Sequence, residues 1–190
     1  GSVAYSLATH SVLAQPGGSI VINAEAGANR IAGTSGYATI GGGRNNIIND
    51  TSDSAVISGG DDHTIDLVSP YAVISGGQSN TIGSLSTHAV IGGGRANAVM
   101  ELYSTIAGGR DNAISNNSFS AAIGGGECNS IATGSSYAVI GGGLDNSIGG
   151  NSDLSTIGGG GGNSIGAASS NAVIGGGQGN IIATGALQAV

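Results

Sequence analysis

The chain has 190 residues, of which 39 are glycine and only 8 % are charged. Its net charge is −7 and it has no lysine, which excludes a basic, phosphate-tracking surface and predicts no nucleic-acid partner. No apolar run approaches the ~18–20 residues that span a bilayer, so we expect no membrane insertion by this chain. Large side chains are too few for an ordinary globular core, yet Ile, Val and Ala recur in register, unlike in a disordered chain.

A short repeat occupies most of the chain. Aligned on the isoleucine that precedes a run of glycines, it occurs nine times, at spacings of 17 residues except for one of 15. We assign 35–184 to regular repeats, 1–34 to degenerate N-terminal coils or a cap that includes an early copy at Ile22, and 185–190 to the C-terminal end. The marker isoleucines are Ile40, Ile57, Ile74, Ile91, Ile106, Ile123, Ile140, Ile157 and Ile174.

The repeat length and its residue types predict an all-β fold. Seventeen residues are too few for a helical-hairpin repeat of about 34. The apolar runs are short, β-branched and bounded by Gly, Asn and Ser, as is typical of strands. We therefore expect two strands per coil, one centred on Ala-Val-Ile and one on Asn-x-Ile, with the glycines turning the chain between them. Stacked coils would form a parallel β-solenoid whose backbone bonds run between coils.

An inward column of asparagines is predicted six residues after the marker isoleucine. Strand alternation places this residue on the same side as the Ile or Val two positions later, inside the coil. Stacked amides can bond to one another and to the turn backbone, so a structural role is favoured over a sugar or metal ligand. His63 stands at this position in one repeat and is expected to continue the column. The predicted ladder is Asn46, Asn80, Asn97, Asn112, Asn129, Asn146, Asn163 and Asn180.

An outer stripe of apolar residues predicts self-association. The residue before each marker isoleucine and the residue two positions earlier are expected to face outward on the same side. Four of the five tyrosines occupy the earlier position, and His88 shares it. Such a stripe would be a large exposed apolar patch, so we predict that it packs against copies of itself. The predicted interface, called here the Tyr–Val stripe, is Tyr37, Val56, Tyr71, Val73, Val90, Tyr103, Tyr137, Val139 and Val173.

The line Ser-x-x-Ala-Val-Ile-Gly, followed by turn glycines and a second short strand, resembles the head repeats of trimeric autotransporter adhesins of the YadA type. The resemblance covers about residues 35–182. It implies a left-handed parallel β-roll, a homotrimer, an extracellular or cell-surface location, and a host surface protein, matrix or glycan as ligand. Similar arrays also resemble segments of phage and viral tail fibres, which would place the chain in a virion.

Motifs for metal, cofactor or catalysis are weak. The stretch GGGRNNII partly matches the calcium-binding nonapeptide, but asparagine replaces the aspartate that a hard cation prefers in eight of nine copies. No phosphate-binding loop is present, and Cys128 has no ligand or nucleophile spacing with His10, His63 or His88. We expect no catalytic residue, no cofactor and no metal, and hence no enzyme.

Two irregular features complete the sequence. A charged rim follows the glycines and is expected to serve solubility and pairing between coils, or alternatively recognition; it contains Arg44, Arg95, Arg110, Asp61, Asp62, Asp111, Glu127 and Asp145. The coil between Ile91 and Ile106 lacks two residues and contains Met100 and Glu101, which predicts a tighter loop.

Together with the resemblance, which implies the trimer and the adhesive role, these observations predict a non-enzymatic, surface-displayed adhesin or receptor-binding module built as a rigid trimeric β-roll. The alternatives are a phage or viral tail-fibre shaft, and a single-chain solenoid that binds or acts on polysaccharide. An ice-binding solenoid ranks last, because the outward positions mix Thr with Val and Ala rather than forming a regular Thr array.

Overall fold

A computed structural model describes residues 3–7, 10–14, 17–24 and 29–190. The predicted all-β parallel solenoid with 17-residue, two-strand coils is confirmed. Within the described residues there is no helix, and therefore none that is long and apolar enough to cross a membrane. Part of the predicted N-terminal segment 1–34 lies outside the described residues.

Three five-residue strands precede the regular coils: β1 (Val3–Leu7), β2 (His10–Ala14) and β3 (Ile20–Ala24). β1 pairs antiparallel with β2, and β2 pairs antiparallel with β3. The sequence register for this segment was wrong, because Val21 rather than Ile22 lies beside Ile40. Val21 is 1 % exposed, and strand alternation turns its neighbour Ile22 away from the core.

Each regular coil contributes one two-residue strand to each of two sheets. The first sheet has twelve strands and continues from β3 through the strands that end at the marker isoleucines. These are β5 (Thr39–Ile40), β7 (Val56–Ile57), β9 (Val73–Ile74), β11 (Val90–Ile91), β13 (Thr105–Ile106), β15 (Ala122–Ile123), β17 (Val139–Ile140), β19 (Thr156–Ile157) and β21 (Val173–Ile174).

The second sheet has ten strands and follows the asparagine column. It consists of β4 (Arg30–Ile31), β6 (Ile47–Ile48), β8 (Thr64–Ile65), β10 (Thr81–Ile82), β12 (Ala98–Val99), β14 (Ala113–Ile114), β16 (Ser130–Ile131), β18 (Ser147–Ile148), β20 (Ser164–Ile165) and β22 (Ile181–Ile182).

The core is a narrow column between the two sheets. A typical coil places Ala138, Ile140 and Ile148 inside at 0–1 % exposure. Burial of each isoleucine side chain contributes about 1.5–3 kcal/mol, which cannot offset the ordering of 17 residues in one isolated coil. Neighbouring coils supply both the apolar cover and the backbone partners: the Val139 N–H, for example, donates to the Ser155 carbonyl at 2.9 Å.

The corners of each coil use left-handed backbone conformations. In one coil they occur at Tyr137 (φ 58°), Asp145 (φ 56°) and Asn151 (φ 56°), and Gly143 has φ 100°. The tyrosine position is therefore a turn, and the expectation that it extends the strand and shares the valine face was wrong. The left-handed φ places the Tyr137 side chain at a corner of the coil, just before the strand that begins at Val139.

Candidate functional site

The asparagines lie in an internal column that bonds each coil to both neighbours. Asn129 Nδ2 donates to Gly125 O and to Gly143 O of the next coil, both at 2.9 Å. Its Oδ1 accepts the Asn146 backbone N–H at 3.0 Å. Seven of the eight predicted asparagines are 0 % exposed, and Asn180, in the last coil, is exposed. The amide groups are thus occupied by protein partners.

A second internal column consists of serines, whose role the sequence analysis did not predict. Ser52 Oγ donates to Asp66 O of the next coil at 2.8 Å and accepts the Ser69 N–H at 3.2 Å. The sequence signal for this column is a serine five residues before eight of the nine marker isoleucines, the exception being Glu101 before Ile106. Hydroxyl groups suit this position because one oxygen can donate and accept at once.

His63 occupies the asparagine column in one coil. Its backbone N–H donates to Asn46 Oδ1, and its ring Nδ1 accepts the Asn80 backbone N–H at 3.1 Å. A neutral ring that accepts at Nδ1 carries its proton on Nε2, and this buried atom has no hydrogen-bond partner among the described residues. Burial lowers the pKa of His63, although the backbone groups of Gly77 and Asn80 and, to a smaller extent, two nearby carboxylates oppose the shift. His63 therefore stabilises this position of the asparagine column less than an asparagine would.

A His63→Asn variant is expected to be more stable than the parent, by about 1–2 kcal/mol, because it replaces an orphaned buried nitrogen with a fully bonded amide. Below the ordinary histidine pKa of about 6.5 the unfolded chain binds a proton that the folded chain resists, so parent stability falls as pH decreases through this region. The variant should lose that part of the acid sensitivity. Thermal melts between pH 7.5 and 5 test this, with exposed His88→Asn as control; equal slopes for the parent and His63→Asn would contradict it.

The tyrosine corner carries a stack of exposed rings. Tyr71 and Tyr103 stack on the two faces of His88 at centroid distances of 4.8 and 5.1 Å. Phe119 continues the column with edge contacts to Tyr103 at 5.4 Å and Tyr137 at 5.5 Å. We call these five residues the aromatic corner. The structure thus brings together three of the tyrosines predicted for the interface, and adds Phe119, which the sequence analysis did not select.

The remaining members of the Tyr–Val stripe are Tyr37, at the tyrosine position of an earlier coil, and five valines of the adjacent first sheet. Tyr37 is 75 % exposed. The valines lie in the first sheet next to the corner: Val56, Val73 and Val90 are half-buried, and Val139 and Val173 are 37 % and 36 % exposed.

The charged rim pairs adjacent coils. Arg44 Nε donates to Asp61 Oδ1 at 2.7 Å, and this bond holds the pKa of Asp61 below its usual range. Arg110 bonds Glu127 of the next coil in the same way. One residue of each coil, from Arg44 to Gln178, forms an isolated parallel β-bridge with its counterpart in the next coil. Part of the charged rim therefore serves to pair adjacent coils.

A cavity of about 470 Å³ lies at the shortened coil, at the corner that follows the second-sheet strands. It is lined by Leu85, Met100, Glu101, Leu102 and Asn117, among others. A second cavity, of about 330 Å³, lies at the end of the last coil beside Val173 and Val190. Among the described residues no group of three or more His, Cys, Asp or Glu side chains is placed to hold a metal ion.

Comparison with known proteins gives no functional assignment: no family model and no curated protein matches the chain in sequence.

Proposed function

We propose that this chain is a non-enzymatic, surface-displayed binding module that works as a rigid homotrimer, with the Tyr–Val stripe at the contact between subunits. The observation that carries the proposal is the aromatic corner, where Tyr71, Tyr103 and Tyr137 are 50–54 % exposed along one edge of the rod. A soluble monomer rarely exposes so continuous an apolar surface. Association along the rod would cover the stripe and add apolar burial to that of the narrow core of each chain.

The expected setting is the outside of a cell, with a host surface protein, matrix component or glycan as ligand. A stacked rod has the stiffness that a displayed module needs, because each coil bonds both neighbours through the Asn and Ser columns. Acidic charge and the absence of lysine are consistent with a partner other than nucleic acid.

The near-uniformity of the coils also favours a second candidate, the shaft of a viral or phage tail fibre. Such a shaft needs a spacer of constant cross-section, and seven of the eight spacings between the nine marker isoleucines are 17 residues, the other being 15. Both candidates share the trimeric arrangement and differ in what the rod is attached to.

Sedimentation equilibrium tests the shared element. We expect a mass near three times 18.0 kDa. A Tyr71→Asp/Tyr137→Asp variant should dissociate, since charges at the stripe oppose its burial. Aspartate tolerates these corners, because Asp62 and Asp145 already adopt left-handed φ. Leu144→Asp/Gln178→Asp adds the same charge on the exposed rim and should remain trimeric.

A parent chain that stays monomeric at all concentrations would contradict the trimer. It would leave the stripe as a free surface and favour the single-chain solenoid that binds or acts on polysaccharide.

A further inference from the structure

The shortened coil creates a notch in one corner of an otherwise regular rod. In a regular coil, four residues join the end of the second-sheet segment to the tyrosine position; here Glu101 and Leu102 alone join Met100 to Tyr103. β12 and β13 keep their parallel register with the coils on both sides. The deletion is therefore confined to this corner, and the 470 Å³ cavity is its result. That volume lies within the range of small-ligand pockets.

The Glu101 side chain takes over bonds of the missing corner. Its Oε1 accepts the Leu102 N–H at 2.9 Å, and its Oε2 accepts the Asn117 N–H of the next coil. In a regular coil the matching N–H bonds a backbone carbonyl, as Gly134 does with Asn116 O at 3.1 Å. The carboxylate is thus fixed in place, and each of its oxygens has a further lone pair.

No arginine neutralises this carboxylate. The salt bridges among the described residues join Arg44 to Asp61 and Arg110 to Asp111 and Glu127, and none includes Glu101. A fixed carboxylate on the wall of a cavity, in a chain of net charge −7, favours a cationic occupant.

The walls around the carboxylate are apolar. Leu85 is 65 % exposed and adopts φ 64°, a conformation that is costly for a leucine and gives it little burial. The Met100 side chain lies over Gly83, where an added Cβ would meet its sulfur. The Leu85 position is polar or small in other coils, as at Thr51 and Gly134, but the coil that precedes Leu85 has the exposed apolar residues Leu67 and Val68 at this corner. Apolar residues at this corner therefore occupy three consecutive coils, the last of which forms the notch.

We propose that the notch binds a lysine or arginine side chain from a basic segment of a partner protein. The aliphatic stem would lie against Leu85, Met100 and Leu102, and the cationic head would bond the Glu101 carboxylate. The residues that carry this proposal lie outside the Tyr–Val stripe. The site thus goes beyond the proposed trimer and can be tested whatever the oligomeric state.

Met100 is the only methionine in the chain, so ¹³C-methyl labelling of methionine gives a single NMR signal inside the notch. The probes are capped Ala-Arg-Ala and Ala-Lys-Ala peptides, compared with citrulline and norleucine peptides of similar shape without the charge. We expect a saturable shift of the Met100 signal with the charged peptides and at least tenfold weaker binding of the neutral ones. A response equal for charged and neutral peptides, no response, or a response to neutral oligosaccharides alone would overturn the proposal.

Three variants locate the binding. Glu101→Gln should weaken it at least tenfold, while Asp145→Asn removes the same charge from an exposed rim corner and should leave it unchanged. Insertion of Asn-Ser between Glu101 and Leu102 restores a 17-residue coil and the missing column serine. This filled coil should melt no lower than the parent and should lose the binding. If Glu101→Gln does not fold, the inserted variant decides, and its retention of parent-like binding would refute the proposal.

Discussion

Asn129→Ala is expected to destabilise the chain by about 3–5 kcal/mol. The substitution leaves the Gly125 carbonyl and the Asn146 N–H without the partners that Asn129 supplies. Gly143 O retains the Glu127 N–H, so the loss comes mainly from two orphaned backbone groups and the space vacated by the amide. Denaturant unfolding followed by circular dichroism measures the effect.

Asn116→Ala is the matched control, because this asparagine is exposed at a corner and has the same side chain. Its effect should remain within about 0.5 kcal/mol. Equal losses for Asn129 and Asn116 would show that the internal column contributes no special stability. Two successive unfolding transitions in Asn129→Ala would show that the coils on either side of Asn129 unfold separately, as stacked repeats can.

Gly126→Ala is expected to be more damaging still, at about 4 kcal/mol or more. Gly126 has φ 89°, and a Cβ there would clash with the Gly143 carbonyl oxygen of the next coil. It would also come within 2.7 Å of Gly143 N and 2.8 Å of Asn129 Nδ2. The backbone of two coils would have to separate, which breaks the ladder on both sides. We expect little folded protein at 37 °C by circular dichroism.

Gly162→Ala separates this clash from the cost of left-handed backbone alone. Gly162 has φ 63° with nothing within 4 Å of an added Cβ, and Ala96 occupies the same coil position with φ 55°. Its cost should be no more than about 1–2 kcal/mol. If both glycine variants lose the same stability, close approach of the coils is not the reason for glycine at position 126.

The regular part of the fold was predictable because one pattern recurs through the chain. Ala-x-Ile and Asn-x-Ile alternate with period two, so each repeat independently indicates which side of its strand is buried. The inward asparagine position and the glycine turns followed from the same alternation. At the N-terminus, no glycine pair marks the register, and Ile22 was chosen where Val21 lies inside.

By itself the sequence determined the coil length, the parallel stacking and the identity of the inward residues, because these depend on local periodicity and on the repetition of one unit. Only the tertiary structure decided that Tyr137 turns a corner in a left-handed conformation, that Ser52 bridges two coils, and that the loss of two residues near Glu101 opens a cavity. Each of these depends on how one coil lies against its neighbours. Residues of different repeats meet where adjacent coils are in contact, and the pattern within a single repeat does not predict those contacts.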